Sequence, residues 1–160
     1  MQGMTHLAGG AVCGLLISSL THASPAQTIA MTCCSTASAL IPDIDICTSK
    51  LGRKIGPASF LIQLFIGHRT LFHAPLPYIA LLGILSHYFP QNNFMWLAAA
   101  AGIFSHLLLD MGNPSGIPLL WPAQRRFSFA SVQTRGLVDW LIGLSLTFIA
   151  AFFLYRNHFL

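Results

Sequence analysis

The sequence predicts an all-α membrane protein: one domain over residues 1–160, a bundle of about five transmembrane helices with one short re-entrant or interfacial segment. Three observations carry this. Charged residues make up only 8% of the chain, where a soluble domain carries roughly 25%. Hydrophobic residues make up 54% and the mean hydropathy is +0.67. Apolar runs also recur along the chain, separated by Pro, Gly and polar turns that end helices.

The first run, Leu7–Leu20, begins its helix at about Met4, and Gly9, Gly10 and Gly14 give it a small face for close helix contact. Ala23-Ser24-Pro25-Ala26 after it resembles a signal cleavage site, but no Lys or Arg precedes the run, so a retained helix is expected. Thr28–Ile41 is rich in Ala, Ser, Thr and Cys, which suits burial among helices instead of contact with lipid; Pro42 stops it. Ala58–Gly67 is apolar but too short to span, hence the re-entrant or interfacial segment. Leu76–Phe89 starts among prolines that a first helical turn tolerates. Phe94–Met111 ends at Gly112-Asn113-Pro114, and Leu137–Tyr155 is the last run. The Pro- and Gly-rich stretch 112–136 reads as a loop in which Ile117–Trp121 could dip into the interface.

The net charge of +4 comes from clustered basic residues. Lys50, Arg53, Lys54 and Arg69 form one group, Arg125, Arg126 and Arg135 another, whereas the connections 21–27 and 90–93 carry no Lys, Arg or Asp. The positive-inside rule then puts both basic segments on the cytoplasmic side of the membrane, with the N-terminus inside and the C-terminus outside; Arg156 alone dissents. The basic groups lack aromatic interleaving and any recognisable nucleic-acid-binding motif, which argues against nucleic acid as a partner. Cys13, Cys33, Cys34 and Cys47 form no Cys-x-x-Cys and read as small apolar residues. Trp121, Trp140 and Tyr155 read as interfacial anchors.

The chain has no Glu and four Asp. On the five-helix frame, His6, Asp43, Asp45, His68, Arg69, His73, His106 and Asp110 all fall at the inner membrane face, and His22, His87 and His158 towards the other. Carboxylates kept beside imidazoles in so apolar a chain point to a divalent metal, with Zn, Mn or Fe suited to that donor set, as one ion or two. His106 and Asp110, four apart, share a helix face. Asp43 and Asp45 follow Pro42 at a spacing that aims both carboxylates one way in an extended turn. His68 and His73 can act together only if the chain turns after His68, because five helical residues separate them by about 140°. Each motif also has a structural explanation: a helix contact for His106, a cap for Pro42-Asp43, and snorkelling to headgroups for His68 and Arg69. Their convergence on one face is what the structural explanations leave unaccounted for. Asp139, four residues after Arg135, reads as an ordinary ion pair or helix-dipole contact and is left out of the site.

Several of these motifs occur together: Thr5-His6-x-x-x-Gly10, Pro42-Asp43-Ile44-Asp45, His68-Arg69-x-x-x-His73, Ser105-His106-Leu107-Leu108-Leu109-Asp110, Asn113-Pro114-x-Gly116 and Leu119-Leu120-Trp121-Pro122. In this order they resemble the bacterial inner-membrane, LexA-regulated, metal-dependent hydrolases of the YdjM-like group, from His6 to about Arg126. The resemblance implies a membrane-bound hydrolase with metal held by His6, Asp43, Asp45, His68, His73, His106 and Asp110. Members carry small or hydroxyl residues around the second motif, as in His-Arg-Gly-x-Thr-His-Ser; here Thr70, Phe72 and Ala74 stand instead.

The function expected is hydrolysis of a phosphoester in a lipid or amphiphile at the cytoplasmic membrane face. Asp43 and Arg69 are the candidate catalytic residues, and Arg69, Arg125 and Arg126 the candidate phosphate-binding groups, since guanidinium forks match phosphate oxygens. Membrane lipid is the expected partner. Transport of metal ions or protons is the alternative use of the same His/Asp cluster, but a conduit needs polar groups through the full depth and these gather at one end.

Overall fold

The computed structural model describes residues 1–45, 71–123 and 125–159. The segment Ala58–Gly67, the basic residues Lys50, Arg53 and Lys54, Cys47, His68 and Arg69 lie outside the described residues, as does the side chain of Asp45. Within them are five helices and no strand: α1 (Gly3–Leu20), α2 (Pro25–Ser38), α3 (Pro75–Tyr88), α4 (Asn93–Met111) and α5 (Leu137–Phe159). Short 3-10 turns, Ile41–Asp45 and Leu71–His73, follow α2 and precede α3.

Local chemistry accounts for the boundaries. The Ser24 side chain accepts from the Gln27 backbone N–H while the Gln27 side chain accepts from the Ser24 N–H, with Pro25 opening the helix. The tetrapeptide that resembles a cleavage site is therefore the capped start of α2, three residues before the expected Thr28. Pro75 opens α3, and Pro90 begins the 3-10 turn into α4.

Among the described residues, three segments, Gly3–Leu20, Pro90–Met111 and Leu137–Arg156, are long and apolar enough to cross a membrane. This differs from the expected count of five spans. α2 and α3 have 14 residues each, and at 1.5 Å per residue they reach about 21 Å of a hydrocarbon core about 30 Å thick.

The helices alternate in direction. Thr5 of α1 bonds Asp139 at the start of α5, and Ser19 at the far end of α1 accepts from Arg156, so α1 and α5 run side by side in the same sense. α2 and α4 run against them, because Gly10 meets Ser35 and Gly9 meets Ser105 and Leu109. Tyr78, near the start of α3, packs with Ile103 and Leu107 of α4 and the fully buried Ile117 of the following loop. The starts of α1, α3 and α5 thus share one end of the bundle with the ends of α2 and α4.

The tightest contact lies where α1, α2 and α4 meet. Ser35 Oγ donates to the Gly10 carbonyl at 2.8 Å. A Cβ on Gly10 would stand 2.8 Å from the Ser35 carbonyl oxygen, one on Gly14 2.7 Å from Thr32 Cα, and one on Gly102 only 2.0 Å from the Ser35 carbonyl oxygen. Small residues let the backbones touch, which is how helices associate when lipid removes most of the hydrophobic drive. The expectation that α2 is buried among other helices instead of facing lipid holds for one face: Met31, Ser35 and Ser38 are buried, while Ile29, Cys33 and Ala37 are exposed.

Asp139 lies in the first turn of α5, as the helix-dipole reading expects, and it also reaches beyond its own helix. It is fully buried and accepts from the backbone N–H groups of Arg135 (2.8 Å) and Gln2 (3.1 Å) and from Thr5 Oγ1 (2.8 Å). Its partners are thus the main chain and α1, and it ties the first turn of α1 to the first turn of α5.

The close crossing yields a stability prediction. Gly102→Ala forces the Ser35 carbonyl away and should cost roughly 1–3 kcal/mol, the range for overpacking. Gly83→Ala, with nothing within 4 Å of its Cβ, should change stability by less than about 0.5 kcal/mol or raise it slightly through helix propensity. Thermal unfolding of both variants in detergent checks this; equal melting temperatures would count against the crossing.

Candidate metal centre

One turn from the Gly10–Ser35–Gly102 crossing, towards the end shared by all five helices, each helix presents a polar group. His6 lies four residues before Gly10, His106 four after Gly102, and Ala39 four after Ser35, so each is on the face of its helix that makes the crossing. His6 and His106 stack with ring centroids 3.7 Å apart and 16° between planes. His106 Nδ1 donates to the Ala39 carbonyl oxygen at 2.7 Å. A carbonyl only accepts, so Nδ1 carries the proton and Nε2 keeps its lone pair.

Asp110, the next turn of α4, is brought in by the same helix face. The loop behind it satisfies the last carbonyls of α4: Phe129 N–H and Ser128 Oγ donate to the Met111 oxygen, and Val132 N–H donates to that of Gly112. Asn113 Nδ2 donates to Thr134 Oγ1 at 2.8 Å and braces the same loop. Asp43 arrives on the 3-10 turn after α2, where Pro42 prevents the helix from continuing. His73 arrives on the 3-10 turn before α3, with Tyr78 Oη holding the Phe72 carbonyl at 2.8 Å.

His73 and His106 each lie beside both carboxylates. His73 Nε2 is 3.8 Å from Asp43 Oδ1 and 3.6 Å from Asp110 Oδ2; His106 Nε2 is 3.7 Å and 3.6 Å from the same two oxygens. Donors about 2.0–2.1 Å from a tetrahedral ion stand about 3.3–3.4 Å apart, so each of these four His–Asp pairs is within a few tenths of an ångström of the spacing of two ligands on one ion. Asp43, His73 and His106 form one group able to hold a metal ion, and His6, His106 and Asp110 another. His6 Nε2 lies 3.3 Å from Asp110 Oδ1 and 3.2 Å from the Met1 carbonyl oxygen, and the Met1 amine donates to the same Oδ1.

The donor chemistry fits a cation. His106 Nε2 is buried and, among the described residues, has no hydrogen-bond partner. Leaving a prepared lone pair buried without a donor costs free energy that a metal would recover. Two carboxylates would neutralise the charge of a divalent ion. Asp43 is 13% exposed, whereas His6, His73, His106 and Asp110 are at most 1% exposed. Among these five residues Asp43 is the one with appreciable exposure.

Of the residues singled out from sequence, the structure brings together His6, Asp43, His73, His106 and Asp110. Arg125 and Arg126 sit apart on the exposed loop after α4, Arg125 with its guanidinium 6.0 Å from the Phe127 ring, and neither makes an ion pair among the described residues. The Ala39 carbonyl, which sets the His106 tautomer, had no side-chain signal to betray it.

The chain matches the family described as YdjM inner membrane protein over residues 1–158. It is 32% identical to YvsG of Bacillus subtilis (strain 168) over 159 residues, covering 97% of this chain and 95% of the relative. It is 39% identical over 92 residues to the inner membrane protein YdjM of Escherichia coli (strain K12) and to that of Shigella flexneri, a match spanning 55% of this chain and 47% of each relative. No solved structure matches. With the family match running across nearly its whole length, the chain belongs to the YdjM inner membrane protein family.

Proposed function

We propose that this protein is a membrane-bound, metal-dependent hydrolase that cleaves a phosphoester of a lipid or amphiphile at the cytoplasmic face. The observation that carries the reading is the buried set of two carboxylates and two imidazoles at one end of the bundle, with donors 3.6–3.8 Å apart. Asp43, His73, His106 and Asp110 would hold the ion, and mixed carboxylate and imidazole donors suit Zn, Mn or Fe. A divalent ion bound there would act as a Lewis acid towards a phosphoryl oxygen and lower the pKa of water.

The chain's own residues supply the rest. Asp43, the one partly exposed member, is placed to meet an incoming water and take its proton. His106, held by the Ala39 carbonyl, keeps its lone pair directed at the cage. Arg69 would offer a planar pair of donors to the phosphate oxygens, and the exposed Arg125 and Arg126 would attract the anionic headgroup. A site at the end of a bundle suits a substrate whose tail stays in lipid. The opposite half of the contact between α1 and α5 is packed with Val12, Leu15 and Ala150, which disfavours an ion path running the full depth there.

The reading includes a topology. The end of the bundle that carries the site also carries the loop with Arg125, Arg126 and Arg135, so the N-terminus is assigned to the cytoplasm and the C-terminus to the periplasm. The alternating directions suit five crossings, with the two shorter helices thinning the local bilayer. Reporter fusions after residues 24, 55, 92 and 160 should read periplasm, cytoplasm, periplasm and periplasm. A cytoplasmic reading at residue 92 would overturn the assignment.

Metal content tests the cage. Elemental analysis of detergent-purified protein should find a transition metal that His106→Ala and Asp110→Asn lose while still inserting into the membrane. Wild-type content in those variants would exclude these residues as ligands.

Arg69→Lys separates hydrolase from carrier, because it keeps the charge and loses the two-point fork. It should bind metal normally and lose about ten- to a thousand-fold in turnover, the range for one oriented donor. The assay is headgroup or phosphate release from a panel of lipid phosphoesters in proteoliposomes with added Zn or Mn. No release across the panel, together with metal flux into the vesicles, would replace the hydrolase reading with transport.

A further inference from the structure

We infer that His6 is a positioning residue and not a metal ligand: its Nε2–H donates to Asp110 Oδ1, turning Oδ2 towards a single ion. The inference rests on reading Asp43, His73, His106 and Asp110 as the cage.

His106 decides between the two overlapping groups able to hold a metal. Its Nδ1 is committed to the Ala39 carbonyl at 2.7 Å, so it has one lone pair, on Nε2, and can serve one ion. Each group holds one carboxylate, Asp43 with His73 in one and Asp110 with His6 in the other. The geometry separates them: His106 Nε2 stands 3.7 Å from Asp43 Oδ1 and 3.6 Å from Asp110 Oδ2, and His73 Nε2 stands 3.8 Å and 3.6 Å from the same two oxygens, whereas His6 meets Asp110 at its other oxygen. An ion served by His73 and His106 has both carboxylates beside it to offset its charge.

His6 is then defined by its neighbours. Within reach of Nε2 are two oxygens, the Met1 carbonyl at 3.2 Å and Asp110 Oδ1 at 3.3 Å. Both are acceptors, so Nε2 must carry the proton and cannot offer a lone pair to a metal. The ring's other nitrogen, Nδ1, is buried and makes no hydrogen bond among the described residues; the two nitrogens of an imidazole diverge, so it is not aimed at the oxygen that Nε2 touches. Stacking on His106 at 3.7 Å keeps the ring in this orientation. The two oxygens of Asp110 are thereby divided: Oδ1 faces His6 and the Met1 amine, and Oδ2 faces His73 and His106. An outer partner of this kind fixes a ligating carboxylate, and its loss typically lowers metal affinity about ten- to a hundred-fold without altering the ligand set.

The test uses Co(II) as probe, bound to full-length protein in detergent, with visible absorption reporting the ligand field. Wild type should take up one Co(II) per chain. His6→Ala should weaken binding about ten- to a hundred-fold yet give the wild-type spectrum at saturation. His6→Gln, whose side-chain amide can place an N–H near the position of Nε2, should restore most of the affinity. If His6→Ala proves unfolded by size exclusion, His6→Gln decides alone, since a lost ligand would change its spectrum and a kept donor would not. Two Co(II) per chain falling to one in His6→Ala, or an altered spectrum in either variant, would overturn the inference while leaving a metal site in place. No Co(II) bound by wild type, or wild-type binding by His106→Ala, would remove the cage and the inference together.

Discussion

Everything at the functional end of this bundle depends on the backbone contact among Gly10, Ser35 and Gly102. Helices carrying ordinary side chains pack about 8–10 Å apart, and at that separation His6 and His106 would not stack. Three small residues remove the obstruction, and Ser35 adds a hydrogen bond to the Gly10 carbonyl across the gap. Because a residue four positions along a helix lies on the same face, closeness at the crossing is transmitted one turn on to His6, Ala39 and His106. The spacing of the candidate centre is therefore set by glycines that take no part in its chemistry.

The carboxylates show two ways of keeping an anion out of water. Asp139 is surrounded by donors, two backbone N–H groups and a hydroxyl, and its charge is used to fasten α1 to α5. Asp110 is divided: its Oδ1 accepts from the Met1 amine and faces His6, while its Oδ2, like Asp43 Oδ1, faces His73 and His106 nitrogens 3.6–3.8 Å away. An acid that is structural collects donors at contact distance.

The two fastenings act together on the site. Asp139 holds the first turn of α1, from Gln2 to Thr5, and the loop from Ser128 to Thr134 holds the last turn of α4. His6 and Asp110 are each within a turn of those anchors. The 3-10 turns that deliver Asp43 and His73 are short, one containing Pro42 and the other followed by Pro75, so their side chains do not share the register of a long helix. Rigid helices contribute His6, His106 and Asp110, and turns contribute the more accessible Asp43 and the fully buried His73.

The sequence by itself determined the all-helical membrane character, the approximate extent of each helix and the gathering of His and Asp at one end, because hydropathy, proline stops and charge clusters are local properties. It also picked out His6, Asp43, His73, His106 and Asp110, since polar groups in so apolar a chain are few. Only the tertiary structure decided that α2 and α3 end at 14 residues, that Asp139 binds α1 instead of the Arg135 side chain, and that Arg125 and Arg126 lie out on a loop. It alone set which nitrogen of His106 is free and what His6 touches. Those outcomes depend on how closely backbones approach and which carbonyl an imidazole meets, and no pattern of residue types along one chain records either distance.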